Sequence, residues 1–266
     1  MVWICPLCEQ PLVLLERTWA CANHHCFDQS KEGYVNLLPA HKKRSKTPGD
    51  SVAMINARRL VHDNALYAPL AAQITAIIND CSSVQTVLDI GCGEGYYGDV
   101  LTRHHPDLTV YGIDIAKAAV KLAAATYRHH HYAVAGASHL PVDTATIDLA
   151  LSIFAPINDT ELRRALRAGG YFLEVGPAPR HLWELRTALY DEPREHEPSE
   201  RTRIGLSSIA KGTCNYSRTL DNTLIQALLT ATPFAYRGHR EKRAVLRTLT
   251  YLNTTLSFSW RLYQNT

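Results

Sequence analysis

The sequence predicts an α/β protein in which a doubly wound sheet is preceded by a small metal-binding module, and three observations lead there. Short apolar runs alternate with amphipathic segments from about residue 86 to 175, which is the pattern of strands joined by crossover helices. The first of these runs ends in a glycine-rich turn that opens a helix. Soft metal ligands crowd the first 26 residues.

Composition sets the outer bounds. The chain has 266 residues, 46% apolar and 20% charged, enough to bury a core in one or two domains. Lysine and arginine number 28 against 25 acids, so the net charge of +3 excludes a histone-like polycation, and a nucleic-acid partner must be argued from where the charges sit. There is no run of about 18 apolar residues, and no export signal pattern opens the chain. A soluble cytoplasmic protein with no membrane contact is therefore expected. Seven cysteines, an odd number without an export signal, favour metal or reduced thiols over a disulfide framework.

The N-terminal module, residues 1–40, is built on Cys5-Pro-Leu-Cys8 and, twelve residues later, Cys21-Ala-Asn-His24-His25-Cys26. Two such knuckles suit one structural, tetrahedral zinc ion, because each short turn aims backbone amides at the sulfurs and offsets their charge. A segment this short buries too little surface to fold alone, so the metal would contribute directly to its stability. His24, His25 and Cys26 each satisfy the spacing for the fourth ligand. The competing possibility, a redox-active Cys-x2-Cys, lacks its usual place at the start of a helix after a strand.

Residues 31–50 read as a short strand running into a basic, turn-rich linker containing Lys42, Lys43, Arg44 and Lys46. From 51 to about 80, apolar positions recur at three- and four-residue spacing with a break near Pro69, which predicts two linked helices. Residues 41–82 thus form a linker-and-helix segment, and 83–266 the main domain. There the pattern predicts strands at 86–90, 108–113, 131–134, 147–154 and 171–175, and helices at 96–104, 117–127 and 159–167. Strands so separated imply a parallel sheet covered on both faces. Near the end, Leu256, Phe258, Trp260 and Leu262 alternate with polar residues, as in a half-buried strand.

The first strand runs into Asp89-Ile-Gly91-Cys-Gly93-Glu94-Gly95-Tyr-Tyr-Gly98. Glycines here let the backbone curl under a ligand where any Cβ would collide. Gly93, Gly95 and Gly98 also satisfy the dinucleotide pattern, which is weak alone. The register decides: Asp89 begins an Asp-x-Gly-x-Gly-x-Gly string on the strand end, which resembles the first motif of class I S-adenosylmethionine-dependent methyltransferases with their Rossmann-like sheet. Asp114, closing the second strand, stands where an acid accepts from ribose hydroxyls. Leu140-Pro141 and Leu166-Arg-Ala-Gly-Gly170 resemble further landmarks of that class. One position departs from it: Gly136 stands where many members carry an acid toward the adenine amino group, leaving backbone groups or Ser138 for that contact.

Taken together, the knuckles, Lys31-Glu-Gly-Tyr-Val-Asn-Leu-Leu38, Pro48-Gly-Asp-Ser51, Ala57-Arg-Arg59, the glycine string, Gly176-Pro-Ala-Pro-Arg-His181-Leu182 and Thr232-Pro-Phe234 occur in an order that resembles the bacterial 23S ribosomal RNA guanine-N1 methyltransferases along nearly the whole chain. The resemblance implies methylation of guanine N1 in a hairpin loop of 23S ribosomal RNA, with close relatives conferring macrolide resistance. It implies zinc on Cys5, Cys8, Cys21 and His25, and cofactor contacts at Tyr67, Gly93, Glu94 and His181, beside Gly91 and Asp114 from the motif. Members of the family can be dimers, which makes a homodimer the expectation. A target base would sit over the fourth strand, where Phe154 is placed to stack on it. Asp159 and His181 are candidate proton acceptors, of which the sequence chooses neither. RNA phosphates would meet the linker cations and Arg237, Arg240, Lys242 and Arg243. Two rival readings are a zinc-containing methyltransferase acting on a small molecule and an RNA-binding module without activity.

Overall fold

The computed structural model describes residues 2–42, 48–197, 202–232, 234 and 240–266. Its N-terminal module is a three-stranded antiparallel sheet, β1 (Val13–Leu15), β2 (Thr18–Ala20) and β3 (Cys26–Asp28). The chain then supplies β4 (Val35–Asn36) to the edge of the main sheet, beside β7 (His131–Val134). Module and main domain share a core. Trp3, 2% exposed, meets the Tyr111 ring edge-on at 5.1 Å, and Ile4 N donates to the Pro141 carbonyl at 3.0 Å.

Helices α1 (Val52–Asp63) and α2 (Ala68–Asn79) follow. The Ser51 hydroxyl caps α1 by accepting from Met54 N at 3.3 Å, satisfying one of its free amides. The break predicted near Pro69 falls at 64–67, around the left-handed Ala65, and Pro69 itself sits in the first turn of α2, where its missing N–H costs nothing.

The main sheet has eight strands in the order β10-β11-β9-β8-β5-β6-β7-β4. Its parallel part comprises β4, β5 (Thr86–Ile90), β6 (Thr109–Asp114), β7, β8 (Ile147–Ile153) and β9 (Leu166–Pro177), with α3 (Tyr96–His104), α4 (Lys117–Thr126) and α5 (Asp159–Ala165) as crossovers. The helix expected to reach 167 stops at Ala165 because Leu166 turns extended and pairs with Ile147. The sheet is mixed, not wholly parallel. After α6 (Trp183–Leu189), the long β10 (Leu206–Asp221) and β11 (Tyr251–Asn265) form an antiparallel hairpin, with α7 (Asn222–Ala231) and α8 (Arg240–Thr248) between them. β11 lies between β9 and β10 and is paired at both edges, and in its middle the polar Thr254 and Ser257 are buried along with Leu256 and Phe258. Its alternating sequence therefore understated its burial. Among the described residues no helix is long and apolar enough to cross a membrane.

Candidate active site

In the N-terminal module the structure brings Cys5, Cys8, Cys21 and His25 together. Their ligand atoms all lie within 4.8 Å of one another. The Cys8 and Cys21 sulfurs are 3.6 Å apart, and His25 Nδ1 lies 3.4, 3.3 and 3.5 Å from the sulfurs of Cys5, Cys8 and Cys21. A tetrahedral ion with Zn–S of about 2.3 Å and Zn–N of about 2.0 Å requires ligand separations of roughly 3.5–3.8 Å, so the donor set fits zinc. Cys26 is exposed and its thiol reaches the His24 carbonyl instead, while His24 takes a left-handed turn that carries it outward.

The main cleft opens at the carboxyl ends of β5–β9, where doubly wound sheets hold their ligands, and encloses about 1330 Å³. Its floor is the glycine loop. Gly91 has φ +77°, and a Cβ there would meet the Ala155 Cβ at 2.5 Å, so the loop lies directly against the tip of β8. Gly93 N donates to Asp114 Oδ2 at 3.0 Å and Ala116 N to Asp114 Oδ1 at 2.7 Å, which fixes the carboxylate while each oxygen keeps a free lone pair for a hydroxyl donor. Burial raises the Asp114 carboxyl above its ordinary range. Asp89 is 3% exposed, its Oδ2 has no hydrogen-bond partner, and burial, with Asp114 and Glu94 nearby, pushes it up to about 7. A buried carboxyl edge without a donor, beside a glycine cradle, fits a polar and cationic ligand such as a sulfonium amino acid.

Glu94 is buried and paired with His62 Nδ1 on α1. Burial acts to raise this carboxyl, but the hydrogen bond and attraction of His62 outweigh it and its pKa is lowered. The His62 ring stacks on Tyr96 at 4.1 Å and meets Tyr67 edge-on at 5.7 Å. Tyr67, pushed up to about 12 by burial, stays a neutral phenol on the cleft wall. Arg58, paired with Asp50, reaches to 3.5 Å from the Cβ position of Gly93. The sequence offered no role for His62, and Arg58 entered it only within Ala57-Arg-Arg59; both sit on α1, in the 51–80 segment that also carries Tyr67.

On the other side of the cleft Phe154, directly after β8, has φ +60° and 47% exposure, a strained conformation that costs about 1–3 kcal/mol in an ordinary residue. Its ring lies 6.0 Å from His181 and 5.9 Å from Phe258. His181 Nδ1 accepts from Ser257 N at 3.3 Å, and burial, then His196, pulls its pKa down to about 3. The ring is neutral at pH 7, and that hydrogen bond assigns its proton to Nε2, making His181 a donor and unsuited to take a proton. Asp159 lies outside this cleft, bound with Glu174 to Arg203. Neither candidate proton acceptor survives. Ala135, Gly136 and Ala137 line the wall, whereas Ser138 is not among the lining residues.

Of the cations expected to meet RNA, Lys43, Arg44, Lys46 and Arg237, and the side chains of Lys42 and Arg240, lie outside the described residues. Lys242 pairs with Asp191.

Residues 3–46 match the family described as "RlmA, N-terminal", a zinc ribbon, and residues 87–173 match a methyltransferase domain. The 23S rRNA (guanine(748)-N(1))-methyltransferase of Streptomyces fradiae is 36% identical over 189 residues, covering 70% of this chain and 66% of that protein. A Bacillus subtilis (strain 168) protein named among the 23S rRNA (guanine-N1)-methyltransferases is 30% identical over 272 residues, 95% of this chain and 93% of that one. A Micromonospora griseorubida protein named to the same activity is 30% identical over 68% of this chain and 67% of its own.

Proposed function

The chain belongs to the family of 23S rRNA (guanine-N1)-methyltransferases, and on that premise we propose that it transfers a methyl group from S-adenosylmethionine to N1 of one guanine in a hairpin loop of 23S ribosomal RNA. The observation that carries this reading is the contact of Gly91 with Ala155, which sets the small-residue cradle directly beside the strained, exposed Phe154. A donor half and a base-stacking half thereby share one cleft, as an in-line transfer to an extruded base requires.

The donor half takes the cofactor against Tyr67, Gly91, Gly93, Glu94, Asp114 and His181, all of which line the cleft. When bound, S-adenosylmethionine supplies an electrophilic methyl carbon on a sulfonium centre. Asp114 offers acceptors for ribose hydroxyls, Asp89 and Glu94 supply negative potential, and the glycines admit close approach. Cys5, Cys8, Cys21 and His25 hold one structural zinc ion, which ties the ribbon to the shared core around Trp3. Residues 1–40 are the zinc module, 41–82 the linker and helices, and 83–266 the catalytic domain.

The partner is 23S ribosomal RNA, held through phosphate contacts by the linker cations and those near 237–243. Its place is the bacterial cytoplasm, where that RNA is made. The outer edge of β10, the last strand in the sheet order and exposed along most of its length, supports a homodimer. The test is transfer of labelled methyl from S-adenosylmethionine to unmodified 23S ribosomal RNA by the full chain. Label in RNA supports the reading; binding of the cofactor with transfer only to a small molecule rejects it.

A further inference from the structure

Among the described residues, the cleft holds a cation that has no anion. Arg186, on α6, lines the cavity half-buried, and its Nε and Nη1 are closed off from solvent without a hydrogen-bond partner. The titratable groups that face it are Tyr190 at the end of its own helix and His181 and His196 from the flanking segments, a phenol and two imidazoles. Glu184, the acid on α6, is turned onto Thr254 and Thr255. Burial lowers the guanidinium's pKa, but arginine remains charged at any physiological pH. Guanidinium N–H groups closed off from water without an acceptor are unfavourable, so the fold maintains a position for a negative ligand atom at this half-buried side chain.

The proposed reaction generates such an atom. Guanine N1 carries a proton and becomes a nucleophile only as that proton leaves, and the resulting negative charge is shared with O6. On the Phe154 side no group among the described residues is suited to accept the proton. The free nitrogen of His181 already bears one, Glu174 is bound to Arg203, and His196, held at about 4 by burial, is a weak base. Stabilising the anion is the route left to the protein.

We propose that Arg186 is the donor that holds O6 of the target guanine, which makes Arg186 a catalytic residue. The inference rests on the guanine-N1 reading above. As the N1–H bond breaks, its proton passes to solvent water and the charge spreads to O6 beside Arg186. The N1–C bond then forms from the N1 electron pair while the S–C bond breaks, its pair remaining on sulfur.

The test is steady-state methylation of unmodified 23S ribosomal RNA by the full chain, wild type against Arg186→Met, Arg186→Gln and Arg186→Lys, across the pH range in which the protein stays folded. For Arg186→Met and Arg186→Gln, kcat is expected to fall roughly 10²–10³-fold, as on loss of an oxyanion donor, with KM for RNA and cofactor affinity little changed. The deficit narrows as pH rises and hydroxide assists deprotonation, and Arg186→Lys recovers part of it. A deficit confined to KM for RNA marks a phosphate contact and overturns the proposal, as does unchanged kcat or a deficit independent of pH. If one neutral variant fails to fold, the other two carry the same comparison. A wild-type enzyme that leaves guanine N1 unmethylated refutes the proposed function itself, before any variant is compared.

Discussion

Replacing Gly91 with alanine tests the contact that joins the two halves of the cleft. At φ +77° an alanine pays about 1–2 kcal/mol for the left-handed backbone. Its new methyl also stands 2.5 Å from the Ala155 Cβ, where carbon atoms prefer about 3.5–4.0 Å. Forcing such an overlap in packed surroundings costs about 1–3 kcal/mol, so Gly91→Ala should destabilise by about 2–5 kcal/mol. Ala155→Gly removes the colliding carbon and leaves the backbone strain. The double variant should therefore regain about 1–3 kcal/mol of the loss and keep a deficit near 1–2 kcal/mol. Urea unfolding of all four proteins, with midpoints compared at constant slope, yields the coupling energy directly. A coupling within about 0.5 kcal/mol of zero would show that the loop and the β8 tip do not touch, and the geometry assigned to the cleft would fall.

Asp89 supplies a pH test. Its folded pKa of about 7 lies above the ordinary 3.9, so the native state holds this proton more tightly than the unfolded chain. Its contribution is full below about pH 4 and is lost as pH rises through 7, at most about 4 kcal/mol; the difference in stability between wild type and Asp89→Asn should follow that course, and a difference constant from pH 4 to 8 contradicts it. Chelating the zinc should redshift the fluorescence of Trp3 and Trp19, which are 2% and 3% exposed; verified metal loss with an unchanged spectrum refutes a metal-dependent ribbon fold. Changing Lys42, Lys43, Arg44 and Lys46 together to alanine should weaken RNA binding and flatten its salt dependence while cofactor affinity holds, and an unaltered salt slope rejects their phosphate role.

The parallel half of the sheet was legible because each strand is an apolar run ended by turn residues; β5, α3 and β7 fall where periodicity puts them. The hairpin β10 was not legible. It is an edge strand with both faces largely exposed, so its sequence, rich in Ser, Thr and Asn, lacks any alternation to read. The same kind of signal misjudged β11, whose burial depends on neighbours at both sides that local pattern cannot announce. In the site, glycines and Asp114 declared themselves by spacing along one strand-turn-helix unit. His62 and Arg186 did not, because each meets the cleft only through tertiary packing, and nothing near them in sequence predicts Glu94 as a partner or the lack of one. The choice between Asp159 and His181 as proton acceptor was not legible for a related reason: Arg203 and the Ser257 amide, both distant in sequence, decide what those side chains can do with a proton.

The central claim is the position of the new methyl group. Unmodified 23S ribosomal RNA treated with the protein and S-adenosylmethionine, then copied by reverse transcriptase, should give a single new stop one nucleotide short of a hairpin-loop guanine, since a methyl on N1 blocks pairing, and digestion should release 1-methylguanosine. Full-length copies from RNA that has taken up label, or a methyl recovered on any other atom, would contradict it.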